Sequence, residues 1–243
     1  MPINNRENNN ICLEWGQPNL SDTVEAWRNA DAVCFDVDST VIVDEGLDQL
    51  AAFCDKGELI RKITQEAMRG GLEFREALRT RLNLLRPSME TVQKFTRAHP
   101  PILTPGIKEL VSNLHSRQVD VYLVSGGFTS LIAPVARALD IPLENIYANR
   151  LKFFFDGEYA GFDEAQPTSR SGGKAEVIAT LQQLHGYGCV VMVGDGVTDM
   201  EACPPAQAFI GFGGNVVRES VKKHASLYVS DFKTLINELN SVD

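Results

Sequence analysis

Short apolar runs alternate with longer stretches of helical periodicity along most of this chain, which restricts it to βα units built around a mostly parallel sheet. The runs read as strands at Ala32–Val37, Val119–Val124, Val190–Val193, Ala208–Ile210 and Leu227–Val229, with helices filling the intervals. Thr104-Pro105 predicts a helix start, with Thr104 as cap and Pro105 as first helical residue, and Ile107, Leu110, Val111 and Leu114 form its apolar stripe. Asp156-Gly157, between Leu151–Phe155 and Glu158–Phe162, predicts a tight hairpin that projects from the main sheet as a small antiparallel flap. From Gly46 to about Pro101 the strand signal vanishes and consecutive helices are expected, an insertion that a cap over a site would explain.

A chain of 243 residues can bury one large domain, or one domain carrying a smaller insertion. Its net charge of -9 opposes nucleic-acid binding, because phosphate-backbone binders gather Lys and Arg on one surface. Cys12, Cys34, Cys54, Cys189 and Cys203 are scattered, odd in number and never in Cys-x-x-Cys spacing, which fits a reducing compartment. The polar stretch Asn4–Asn10 has no apolar core of a leader peptide, and no apolar run is long enough for a bilayer. The expectation is a cytoplasmic protein with no membrane partner.

Chemistry concentrates in loops at strand ends and helix starts. Asp36-Val37-Asp38-Ser39-Thr40 closes the first apolar run, and the carboxyl end of a strand is where open α/β sheets bind ligands. Two acids so close resist joint ionisation, and a bound Mg²⁺ would relieve them; a plain acidic turn capping the next helix is the alternative. Ser125-Gly126-Gly127-Phe128 precedes a helical pattern through Leu131, Ile132, Val135 and Leu139, so its hydroxyl and backbone N–H groups suit either an anion or an ordinary cap.

Ser171-Gly172-Gly173-Lys174 opens a helix continuing through Val177, Ile178 and Leu181. A lysine there opposes the macrodipole, which either a bound anion or simple exposure accounts for. Gly194-Asp195-Gly196-Val197-Thr198-Asp199 adds two carboxylates with no His or Cys cluster nearby, a set for a hard cation. Gly211-Phe212-Gly213-Gly214-Asn215 lacks the spacing of a dinucleotide fingerprint and reads as a turn. Phe74, Leu78, Arg81 and Leu85 share one helix face, so Arg81 either snorkels from an apolar surface or awaits a carboxylate.

Taken in order, Asp36-Val37-Asp38-Ser39-Thr40, Ser125-Gly126-Gly127, Lys174 and Gly194 to Asp199 resemble the four motifs of the haloacid dehalogenase superfamily, over about residues 27–230. Cys34 to Val41, Val124 to Phe128, Ala160-Gly161-Phe162-Asp163-Glu164 and Gly194 to Cys203 are similar to its phosphoserine phosphatase family. The resemblance implies a Rossmann-like, doubly wound sheet over 1–45 and 102–243, with residues 1–12 a flexible tail and 46–101 a helical cap domain. It also implies Mg²⁺-dependent hydrolysis of O-phospho-L-serine, the last step of phosphorylated serine biosynthesis. By motif position Asp36 is the nucleophile and Asp38 the acid/base, with Mg²⁺ on Asp36, the Asp38 carbonyl and Asp195, and Asp199 supporting from behind.

Ser125, Gly126 and Lys174 would bind the phosphoryl oxygens. Glu45 would take the substrate ammonium and Arg81 its carboxylate, with Met68, Phe74, Gly127 and Thr198 lining the pocket. The chain departs from the family pattern at Arg69, which separates Met68 from Gly70-Gly71. Other small phosphomonoesters, or phospho-ligand binding without turnover, are the alternatives, and the oligomeric state stays open between monomer and homodimer.

Overall fold

The computed structural model describes residues 18–62 and 73–241. The expected tail 1–12, Met68 and the Arg69-Gly70-Gly71 departure lie outside the described residues. Helix α1 is Leu20–Arg28, and α2 is Gly46–Phe53, after which residues 57–62 are also helical. Then come α3 (Phe74–Leu85), α4 (Met89–Ala98), α5 (Ile107–Ser116), α6 (Thr129–Ala138), α7 (Gly173–His185), α8 (Val197–Met200), α9 (Glu219–His224) and α10 (Phe232–Asn240). The strands are β1 (Ala32–Phe35), β2 (Asp120–Phe128), β3 (Ile146–Asn149), β4 (Leu151–Phe153), β5 (Tyr159–Phe162), β6 (Val190–Gly194), β7 (Ala208–Phe212) and β8 (Leu227–Val229).

Six strands form one parallel sheet in the order β3-β2-β1-β6-β7-β8. Every residue of β1 and β6 is buried, as expected of central parallel strands covered on both faces. Side-chain alternation sends Val33 and Phe35 to one face, against Trp27 of α1, Leu110 of α5, Ile132 of α6 and Phe232 of α10. Ala32 and Cys34 face the other way, with Val177, Ile178 and Leu181 of α7. The sheet is therefore doubly wound.

The described helices of the 46–98 region share an apolar cluster of their own, apart from the two that cover the main sheet. Leu50, Ile60, Leu78, Leu82, Val92 and Phe95 form a third cluster, which reaches the rest of the chain through residues such as Phe128, Tyr159 and Phe162. The connections at the two ends of this region run antiparallel, with Val43 N–H donating to Ile102 O (3.0 Å) and Thr104 N–H to Val41 O (2.9 Å). Arg79 Nη2 of α3 pairs with Glu164 Oε2 at 3.0 Å, and Arg75 Nη2 donates to Ser169 Oγ at 3.0 Å.

Three local expectations need correcting, and a fourth, the small antiparallel hairpin outside the main sheet, holds. Phe35, not Val37, ends the first strand, because the Asp36 carboxylate caps Val37 N–H at 2.8 Å and turns the chain. The helix expected at Thr104-Pro105 starts at Ile107 behind Gly106, whose φ is +86°; the Thr104 hydroxyl instead donates to Thr40 O at 2.7 Å. Strand β3 was not anticipated, since Ile146-Tyr147-Ala148-Asn149 is too short to stand out beside the helix pattern before it. The hairpin β4–β5 lies against the helices through buried Tyr159 and Phe162, while Phe154 and Phe155 at its tip are exposed.

Candidate active site

Parallel register brings the four loops together. Phe35 of β1 lies opposite Leu123 of β2 and Val193 of β6, so the residues that follow each strand emerge side by side at one end of the sheet. They open into a cleft of about 850 Å³ lined by Asp36, Asp38, Ser125, Lys174 and Asp195, with Arg81 across it. Glu45, Phe74, Gly126, Gly127 and Thr198 also face this cleft.

The turn after β1 aims its two carboxylates at different partners. Asp36 Oδ1 lies 2.9 Å from Lys174 Nζ, whereas Asp38 Oδ1 accepts Gly46 N–H at 2.7 Å. Immediately after Asp38, Ser39 adopts φ +56° and its hydroxyl donates to Glu45 Oε1 at 2.8 Å. Thr40 Oγ1 donates to Asp195 Oδ1 at 3.3 Å, joining the first loop to the fourth.

Burial, followed by the charges of Glu45 and Asp36, pushes the Asp38 carboxyl up to about 8, against the opposing Gly46 N–H and Lys174. The acid is thus held protonated near neutrality. Burial alone would lower the Lys174 ammonium, but Asp199 and Asp36 outweigh it and hold it charged. The lysine placed against the dipole of α7 is met by the protein's own carboxylates, with Asp199 Oδ1 at 2.5 Å. Burial raises Asp195 and Asp199, with Asp36 adding to both; Arg218 opposes the rise at Asp195 and Lys174 at Asp199.

Asp36, Asp195 and Asp199 each present a carboxylate oxygen within 4.8 Å of the others. Such an all-oxygen, anionic set can hold a hard divalent cation, whose charge would offset the carboxylates crowded there. Asp199 is already engaged on both sides, by Lys174 at Oδ1 and by Gly196 N–H at Oδ2 (2.9 Å).

Ser125-Gly126-Gly127 does not open a helix as the sequence suggests. Strand β2 continues through Phe128, and α6 begins at Thr129. A register shift between Val124 and Phe128 takes this segment out of the regular pairing. The glycines answer crowding: a Cβ on Gly126 would meet the Phe74 ring at 2.8 Å, and one on Gly127 would sit 3.1 Å from Asp38 Oδ2.

Opposite the carboxylates, Arg81 is half-buried, and among the described residues its buried Nε has no hydrogen-bond partner. Burial pulls its guanidinium down, while Asp48, Glu45 and Asp38 favour its charge.

The profile of haloacid dehalogenase-like hydrolases matches residues 30–207. The chain belongs to this family. A phosphoserine phosphatase of Rattus norvegicus is 57% identical over 211 residues, covering 87% of this chain and 94% of the relative. Among solved structures, DsGPDH of Dunaliella salina superposes with a TM-score of 0.79 at 33% identity, covering 89% of this chain but 37% of that longer one. A phospho-aspartyl intermediate analogue of phosphoserine phosphatase superposes at 0.72 with 28% identity, covering 85% of this chain and 97% of its own.

This haloacid dehalogenase-like hydrolase also uses residues that no sequence motif flags. Arg218 Nε donates to Asp195 Oδ2 at 2.7 Å, and its Nη2 lies 3.6 Å from Glu45 Oε1. Asn215, in the glycine-rich turn, donates from Nδ2 to Ser39 O (3.1 Å) and Thr104 Oγ1 (2.7 Å), clasping the first loop. Asn215 acts across more than a hundred residues of sequence and Arg218 reaches Asp195 across 23, separations at which local patterns carry no signal.

Proposed function

We propose that this hydrolase is a Mg²⁺-dependent phosphoserine phosphatase, converting O-phospho-L-serine and water to L-serine and phosphate at the end of phosphorylated serine biosynthesis. The observation that carries the reading is the pairing, in one cleft, of the divided carboxylates Asp36 and Asp38 with Arg81, whose buried Nε has no hydrogen-bond partner among the described residues. The rat relative's name points to the same substrate.

Asp36 attacks phosphorus, forming an aspartyl-phosphate and splitting the hydrolysis into two easier steps. Asp38, protonated beforehand, gives its proton to the departing serine oxygen; it then takes one from the water that attacks the aspartyl-phosphate, which frees phosphate and restores Asp36. Ser125, the Gly126 N–H and Lys174 bind the phosphoryl oxygens, where positioned charge supplies most of the catalysis. Asp36, the Asp38 carbonyl and Asp195 would hold Mg²⁺, with Asp199 behind them, and the bound cation would neutralise charge so that an anion can approach an anion.

Glu45 pairs with the substrate ammonium and Arg81 with its carboxylate, while Phe74, Gly127 and Thr198 shape the pocket. Residues 46–101 serve as a cap on a core of 1–45 and 102–243, hinged at the paired connections near Val43 and Ile102. Among the described residues no helix is long and apolar enough to cross a membrane; the cytoplasmic location rests on the scattered cysteines, of which Cys34, Cys54 and Cys189 form no disulfide.

Phosphate release with Mg²⁺ from phosphoserine, phosphoethanolamine and phosphoglycolate tests the substrate. Phosphoserine should be turned over fastest. Equal or faster release from the other two would transfer the assignment to another small phosphomonoester.

A further inference from the structure

Asn149, the last residue of β3, is entirely buried, and its side-chain amide joins two parts of the cleft that the sequence keeps apart. Its Nδ2 donates to Gly126 O at 2.8 Å and, more weakly, to Thr168 O at 3.4 Å. Its Oδ1 accepts from the Thr168 hydroxyl at 3.1 Å. The opposite amide orientation would set oxygen against two carbonyls, so the network itself selects this one.

The bond to Gly126 has a directional consequence. C=O and N–H of one trans peptide point in opposite directions, so a Gly126 carbonyl turned towards Asn149 turns the Gly127 N–H the other way. That N–H donates to Ser125 Oγ at 3.0 Å. With Oγ already accepting, the Ser125 hydroxyl keeps its own proton for an acceptor in the cleft. Register is lost between Val124 and Phe128, so the ladder alone does not fix this peptide, and a buried side chain supplies the constraint.

The second arm reaches Lys174. The segment Pro167–Ser169, held by Asn149 through Thr168, backs the start of α7 so closely that a Cβ on Gly173 would fall 1.8 Å from Pro167 O. Lys174 follows directly. One amide thereby sets the spacing between Ser125 and Lys174.

We infer that Asn149 is a positioning residue that holds Ser125 and Lys174 at the separation a phosphoryl group requires. The inference rests on the phosphatase reading for its catalytic consequence, but not for its binding consequence. Asn149→Asp removes the donor to Gly126 and keeps an acceptor for Thr168; Thr168→Val loosens the same amide from the other side and serves if the first variant does not fold.

Inorganic phosphate and L-serine are titrated separately into the Mg²⁺-loaded full chain by calorimetry, alongside kcat and KM for phosphoserine. Phosphate affinity and kcat should each fall about tenfold or more, as expected of small misplacements at a reacting centre, with L-serine affinity unchanged. Unchanged phosphate affinity, or equal weakening of phosphate and L-serine, overturns the inference. Should the unaltered protein bind phosphate yet leave phosphoserine intact, the phosphatase reading fails, and the phosphate titration still decides the role of Asn149.

Discussion

The Gly46 N–H donates to the Asp38 carboxylate at 2.7 Å, so the first residue of the inserted helices orients the acid at the end of β1. A proline is tolerated at the first position of a helix, where its missing N–H is not needed by the helix itself. Gly46→Pro should therefore leave the helical content intact while removing the donor that Asp38 uses. We expect kcat for phosphoserine to fall about tenfold or more, read beside a far-UV circular dichroism spectrum that does not change.

Asp38→Asn should separate activity from stability. Turnover should drop by about 10² or more, because the proton donor is gone. The carboxyl of Asp38 rises from 3.8 to about 8 on folding, so between those values the native chain keeps a proton that the unfolded chain has released. Stability of the unaltered protein consequently declines as pH rises through that window, and the neutral amide removes the decline. In metal-free protein the melting temperature of Asp38→Asn should exceed that of the original by a margin that is larger at about pH 8 than at about pH 5. A margin independent of pH would show that Asp38 is already ionised in the fold.

Arg81→Ala should weaken phosphoserine selectively. Losing a charge-assisted pair predicts a rise in KM for phosphoserine of about 10-fold to 100-fold. Phosphoethanolamine, which lacks the carboxylate, should be affected less than about threefold by the same criterion. Equal losses on both substrates would assign the guanidinium to packing of α3.

Chelation should abolish phosphate release and Mg²⁺ should restore it. Asp195→Asn, which neutralises one of the three clustered carboxylates, should weaken Mg²⁺ binding by more than about tenfold in a calorimetric titration. Retained affinity would mean that the cation binds elsewhere.

The parallel sheet and the four loops were legible because each signal is local: buried runs such as Val190–Val193, then Asp and Gly at the turn. Ser125-Gly126-Gly127 was legible as chemistry but not as geometry, since a bulged strand end and a helix start look alike in sequence. Thr104 misled for a related reason: a good helix cap is also a good donor to a distant carbonyl, and Thr40 O claimed it. Asn149, Asn215 and Arg218 stayed invisible, because their partners lie 19 to 176 residues away and an isolated Asn or Arg is ordinary.

The third apolar cluster, built around the described helices of the 46–98 region, has an evolutionary corollary. Leu50, Leu78, Leu82 and Phe95 pack on one another in a cluster distinct from the two that cover the main sheet, so the wall carrying Phe74 and Arg81 can be redrawn by mutation while the strand ends stay fixed. A lineage could exchange one phosphomonoester for another by altering that wall and inherit its hydrolytic chemistry unchanged.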